Sequence, residues 1–283
     1  MRRRPGSGPL ASCRLPPASH LLLLAACLLL LALLPACSAS TAPVVKVGLV
    51  APFEGRYRAI GYEAIYAARL AIREINSAGG VGRIRVELLA LDDSGDPVMA
   101  IEQARKLALD PQVLAVIGHY RPDTTGAALG TYCAESLPML AVDPDRLGAC
   151  PAVFMLTPPV TRPLSTVPAS FLFIASVPHP AGLPEARPFV EAYNAIPIDG
   201  TQAGPIALQT YDAMYVLFDA LGRNLKSDGA PSRAGMAKAL VASDYAGLGG
   251  TYRFEAQGGR IDAHEYAYRY NKDSPPELIE SDR

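Results

Sequence analysis

Residues 113–129 read VLAVIGHYRPDTTGAAL. Val113, Leu114, Ala115, Val116 and Ile117 form a short apolar run rich in β-branched side chains. It lacks the polar alternation of a half-exposed strand, so it predicts one buried on both faces, as in a parallel sheet. Gly118 ends the run, and His119, Tyr120, Arg121, Pro122 and Asp123 follow as a polar turn. Thr124 or Thr125 then opens a helix that runs to about Ser136. Open α/β sheets take small ligands where a strand ends in such a turn. The first backbone N–H groups of the helix point outward there and favour negative charge.

Upstream, residues 44–51 (VVKVGLVA) predict a first strand and 52–57 a turn. Residues 62–78 predict a helix, with Ile65, Ala68, Leu70, Ala71, Ile72 and Ile75 as a broad apolar face. Gly79-Gly80 closes that helix and is no phosphate cradle, because it leads into no helix. Residues 84–91 predict a second strand, 92–97 an acidic turn and 98–109 a helix. The aspartates of the turn suit the positive end of a helix and lack the later glutamate of a calcium loop. Downstream, 139–142 and 153–156 predict short strands. The order βαβαβαβ with short connections gives an α/β fold with a doubly wound, mostly parallel sheet.

Residues 157–170, TPPVTRPLSTVPAS, break the rhythm and read as a linker or long loop. A strand at 171–176 and helices at 184–194, 205–223 and 232–242 follow, the last with Ser232 as its N-cap. Residues 251–254 and 264–270 alternate as a hairpin around Gly258-Gly259, and the tail from Lys272 reads as polar and frayed.

The chain of 283 residues carries a formal net charge of −1 and is half hydrophobic, a share raised by its N-terminus. Arg2, Arg3, Arg4 and Arg14 precede an unbroken apolar run at 21–34. That run is too short to span a bilayer comfortably, and the pattern is that of a secretory signal. It ends Leu34-Pro35-Ala36-Cys37, followed by small residues. This resembles a bacterial lipobox, which implies cleavage before Cys37 and lipid on its sulfur. An ordinary signal peptide with an incidental cysteine is the alternative. Residues 1–36 are therefore expected as a lipoprotein signal peptide and 37–43 as a tether, with the rest extracytoplasmic and anchored to the membrane by lipid. Loss of the leader's four arginines takes the net charge from −1 to −5, which argues against a nucleic-acid partner. Cys133 and Cys150 remain: outside the cytoplasm the pair suggests a disulfide, with two buried thiols as the other reading.

Three stretches carry a resemblance: KVGLVAPFEGRY, GYEAIYAARLAIREINSAGGVGRIRVELLALDDSGDP and ARKLALDPQVLAVIGHY. Together they resemble the first lobe of the type I periplasmic binding proteins, in the leucine/isoleucine/valine-binding branch of ABC importers. EARPFVEAYNA, ALQTYDAMYVLFDAL and YAGLGGTYRFEAQGGRID are similar to the closing third of that family. The resemblance implies first-lobe segments at 44–157 and 171–247. In the family most of a second lobe stands between these segments, whereas here 158–170 joins them. A lobe needs on the order of 100 residues to enclose its own core. The expectation is therefore a shortened form with the second lobe largely missing, and with 248–283 as its remnant, a terminal hairpin and tail. The implied function is binding a small amino-acid-like solute for a membrane permease. The alternative is a single-lobe sensing or interaction module that traps no solute.

The same resemblance makes the turn after the central strand a ligand loop. Its candidates here are Tyr120, Arg121, Thr124 and Thr125, joined by Tyr57 from the first turn. Pro122 removes a donor, and Asp123 reads as the helix N-cap. The family's next ligand loop is Asp143-Pro144-Asp145-Arg146 here, which does not match. Tyr211-Asp212 matches a family motif and is expected to pack and cap inside the first lobe. His119 has no second histidine or cysteine nearby, which argues against a metal. No nucleophile elbow, P-loop, zinc-protease helix or dinucleotide fingerprint occurs, so neither an enzyme nor a cofactor is expected.

Overall fold

The computed structural model describes residues 43–142, 150–157, 172–196, 202–261, 263–269 and 277–281. The expected leader with Cys37, the loop at 143–146 and the linker at 158–170 lie outside the described residues.

Five strands make a parallel sheet: β1 (Val44–Ala51), β2 (Arg85–Asp92), β3 (Val113–Gly118), β4 (Met139–Ala141) and β5 (Val153–Met155), in the order β2-β1-β3-β4-β5. All six residues of β3 are buried, as its continuous apolar run predicts. Side chains alternate across the sheet. Leu49 and Ile117 face α1 (Arg58–Ser77) and α5 (Pro205–Asp228), whereas Val50 and Val116 face α2 (Pro97–Leu109) and α3 (Pro122–Ala134). Each such side chain contributes about 1.5–3 kcal/mol by leaving water. The chain builds outward from β1 to β2 and then to β3 on the other side. The crevice at the carboxyl ends of β1 and β3 is therefore the topological switch point.

Two helix starts lie upstream of their sequence-based positions. α1 begins at Arg58, directly after a 3-10 turn at Gly55–Tyr57. α3 begins at Pro122, ahead of Thr124. Proline at the first helical position has φ already set and lacks only an N–H that would be unpaired there.

The second half of the chain adds α4 (Arg187–Asn194), α5 and α6 (Arg233–Val241). Ser232 caps α6, its Oγ accepting from the Gly235 amide at 3.0 Å. The hairpin expected between 251–254 and 264–270 does not form. β7 (Asp244–Gly247), β8 (Gly250–Phe254) and β9 (Arg260–Ile261) make one antiparallel sheet. β10 (Tyr266–Arg269) instead pairs antiparallel with β6 (Leu172–Ala175) and with β11 (Glu277–Ser281). The alternation of β10 is real, since Tyr266 and Tyr268 are buried, but alternation does not name a partner. β11 falls in the tail read as frayed. β8 also packs well: Tyr252 and Phe254 are buried in the main core, and Phe254 meets Phe154 at a centroid distance of 5.3 Å. Cys133, in the last turn of α3, and Cys150, ahead of β5, are joined by a disulfide with Cα atoms 5.8 Å apart. Among the described residues no helix is long and apolar enough to cross a membrane.

Candidate functional site

The loops after β1, β2 and β3 meet at the carboxyl edge of the sheet. The Arg121 guanidinium lies 3.9 Å from the centroid of the Tyr57 ring, and Arg56 stacks on the same ring at 4.4 Å. Arg56 also donates to the Tyr57 hydroxyl. Gly95, from the loop after β2, has φ +69° and fits beneath this pair. A Cβ there would stand 2.8 Å from Tyr57 Cδ2 and 3.2 Å from Arg121 Cδ. Arg121 Nη2 donates to Asp123 Oδ2 at 2.7 Å, and this bond holds the Asp123 carboxyl below the usual carboxylate range. Asp123 Oδ1 accepts from the Thr124 amide at 2.9 Å. Asp123 is not the N-cap: Arg121 occupies that position, and Asp123 sits in the first turn, where its charge faces the positive helix end. The Arg121 Nε is buried without a hydrogen-bond partner.

The other candidates in this turn point inward. Thr124 and Thr125 are fully buried. The Thr124 hydroxyl donates to the Arg121 carbonyl and the Thr125 hydroxyl to the His119 carbonyl, each at 3.1 Å. Threonine near a helix start readily closes such local bonds. Tyr120 is buried in the core, with its hydroxyl 2.8 Å from Thr210 Oγ1 on α5. The structure therefore brings Tyr57 and Arg121 together at the surface of the turn and places Tyr120, Thr124 and Thr125 beneath it.

Under the turn lies a polar network that no linear motif announces. His119 Nδ1 donates to Asp93 Oδ2 at 2.6 Å, and His119 Nε2 lies 3.1 Å from the Tyr132 hydroxyl. All three residues are fully buried. Asp93 Oδ1 also accepts from the Gly95 amide at 2.9 Å, so the network fixes the loop on which Arg121 and Tyr57 rest. Asp92 binds the two neighbouring loops together, its Oδ1 accepting from the Phe53 and Ser94 amides. Burial opposes ionisation of Asp92, but the Ser94 hydroxyl and the surrounding amides outweigh it and hold its pKa down.

Tyr211 and Asp212 lie on α5. The Tyr211 hydroxyl donates to Glu74 on α1 at 2.6 Å. Asp212 does more than cap inside its own layer. It accepts from the Leu248 and Gly249 amides at 2.9 and 2.7 Å and from the Tyr252 hydroxyl at 3.1 Å, so it pins the turn between β7 and β8. Among the described residues no group of three or more His, Cys, Asp or Glu side chains is placed to hold a metal ion.

The family described as periplasmic binding protein matches residues 44–167. A Leu/Ile/Val-binding protein homolog of Brucella abortus is 33% identical over 93 residues, which cover 33% of this chain and 25% of that protein. The matched stretch thus spans about a quarter of that relative's length. Among solved structures, the branched-chain amino acid substrate-binding protein LivJ of Streptococcus pneumoniae, in complex with isoleucine, superposes with a TM-score of 0.68 at 15% identity. The superposition covers 83% of this chain and 99% of that one. A fatty acid ABC transporter substrate-binding protein of Thermomonospora curvata reaches 0.70 at 14% identity, covering 84% and 92%. Chains with such different ligands share this fold, so the likeness speaks for architecture and not for a ligand.

Proposed function

We propose that this chain, whose fold is that of a type I periplasmic binding protein of the branched-chain amino acid branch, is a shortened, lipid-anchored extracytoplasmic binding protein. It takes a small amino-acid-like solute and presents it to an ABC permease. Anchoring through Cys37 rests on the lipobox-like sequence. The observation that carries the ligand reading is Arg121 at the switch point. Its guanidinium is stacked on Tyr57 beside the start of α3, with Nη2 on Asp123 and the side chain partly exposed, so that a ligand carboxylate is placed on its remaining N–H groups. Titration calorimetry against a panel of aliphatic amino acids tests it. Saturable binding that is weakened about tenfold by Arg121→Gln is expected. No heat and no thermal stabilisation at about 10 mM ligand would sink it.

A second reading is favoured by one specific observation. Both threonine hydroxyls of the turn are bonded to their own backbone, which leaves a sparse donor set for a carboxylate. On that reading the chain is a single-lobe sensing or interaction module, and the same panel returns no binding.

A further inference from the structure

A second concavity lies away from the Arg121 turn. It is a cavity of 340 Å³ between the carboxyl end of β6, the turn joining β7 to β8, and β10. Neither the family resemblance nor the proposed carboxyl-edge site uses it. Its lining includes one guanidinium, Arg260, and one carboxylate, Glu185, together with the Ser176 and Thr251 hydroxyls and the apolar faces of Leu183 and Tyr266. We propose that this cavity is a binding site for a small zwitterion, with the ligand's carboxylate on Arg260, its ammonium toward Glu185 and a short apolar group against Leu183.

Arg260 is built for an anion. Its Nε donates to the Thr251 carbonyl and its Nη1 to the Leu156 carbonyl, each at 3.1 Å, and the guanidinium stacks on the Tyr252 ring at 4.0 Å. These contacts fix the plane of the fork, and a fixed planar fork loses little entropy on meeting a carboxylate. Nη2 is left on the side of Gly250, only 3.2 Å from where a Cβ on that residue would stand. Gly250 has φ +130°, so the backbone there both requires glycine and keeps the approach to Nη2 free of a side chain. The wall is equally well fixed, because the buried Asp212 carboxylate holds the Leu248 and Gly249 amides from behind. Ser176 is held by Gln209, whose Nε2 donates to Ser176 Oγ at 2.9 Å. The volume lies at the small end of the roughly 300–1,000 Å³ found for ligand sites, which suits a molecule of amino-acid size. A guanidinium and a carboxylate lining one small space, with the His264 imidazole beside them, favour a ligand that carries both charges over a simple anion.

The experiment titrates the full chain with L-alanine, acetate and methylammonium, followed by calorimetry and by backbone amide NMR shifts. Saturable L-alanine binding is expected, with shifts at Gly247, Leu248, Gly249 and Thr251 and with both singly charged probes binding about tenfold more weakly. Glu185→Gln alters an exposed side chain and should weaken the L-alanine response at these four amides about tenfold without changing the melting temperature. Arg260→Gln should abolish that response, and Arg260→Lys should restore part of it. Arg121→Gln should leave it unchanged, whatever part of the calorimetric heat it removes. L-alanine shifts at these amides that survive both Glu185→Gln and Arg260→Gln, that vanish with Arg121→Gln, or that are absent in the parent chain would overturn the site. Shifts that vanish with Arg121→Gln alone would leave the carboxyl-edge reading standing while removing this one.

Discussion

Thr125 shows how far a residue's chemistry can be read without its surroundings. A hydroxyl two positions past a strand-ending turn is the right group for a ligand carboxylate. Here it is fully buried and donates to the His119 carbonyl. Thr125→Val keeps the shape and removes the bond, so it should cost about 1 kcal/mol in a urea titration and leave any amino-acid affinity within twofold. An affinity loss of about tenfold would place Thr125 in the ligand shell. Arg121 and Tyr57 were each legible as residues of a turn at the carboxyl end of a strand, but not the stacking of one on the other, which only the adjacency of β1 and β3 in the sheet brings about. The His119–Asp93–Tyr132 network was not, because its members lie on three different elements and only the packed fold makes them neighbours. Removing one member strands the others without water. Asp93→Ala should therefore cost about 1–3 kcal/mol for each buried group left unpaired and loosen the Gly95 loop, which hydrogen exchange at the Gly95 amide would report.

Elements were legible wherever periodicity and caps agreed, as in β3, α2 and α6. They failed where only a partner decides, as in β10 and β11. The junction of α1 with α5 carries a further device that spacing could not reveal. Glu63 on α1 accepts from the Ala207 amide at 2.9 Å and so caps the first turn of α5 from another helix. Burial raises its pKa from 4.5 to about 7, against the lowering effect of the Ala207, Gly204 and Ile206 amides. An acid whose folded pKa is raised binds its proton more tightly folded than unfolded, so stability falls as pH rises from about 4.5 to about 7. Asp212, pushed up by burial to about 6, acts in the same direction. Glu63→Gln should flatten the dependence, and thermal melts at pH 5 and pH 8 should differ less in the variant than in the parent. An unchanged difference would show that Glu63 titrates normally. The disulfide ties the end of α3 to the start of β5 across a separation of 17 residues. Closing a loop of that size restricts the unfolded chain by about 3 kcal/mol, so reduction should lower the melting temperature by several degrees without altering the sheet.

Scaled up to the whole molecule, these contacts decide what kind of motion a ligand could drive. Two-lobed binding proteins close by a hinge and bury most of their ligand between the lobes. In this chain the end of β6 is held to the larger body by Gln209 on α5, which donates to Ser176. The neighbouring β7–β8–β9 sheet is held on two sides: Asp212 locks the β7–β8 turn onto α5, and the Gly258 carbonyl of the β8–β9 turn accepts from the Met155 amide of β5 at 2.8 Å. A sheet held in this way does not swing as a rigid lobe. On the proposed shortening, a ligand at the Arg121 turn also keeps about half of its surface in water, so its dissociation constant should lie nearer 1 mM than 1 μM, roughly 4 kcal/mol short of a closed site. Small-angle scattering with and without saturating leucine tests both points together. The radius of gyration should stay constant within error while calorimetry on the same sample reports weak binding. A contraction on adding ligand, accompanied by micromolar affinity, would mean that this chain closes as a two-lobed protein does and that the small sheet serves as a working second jaw.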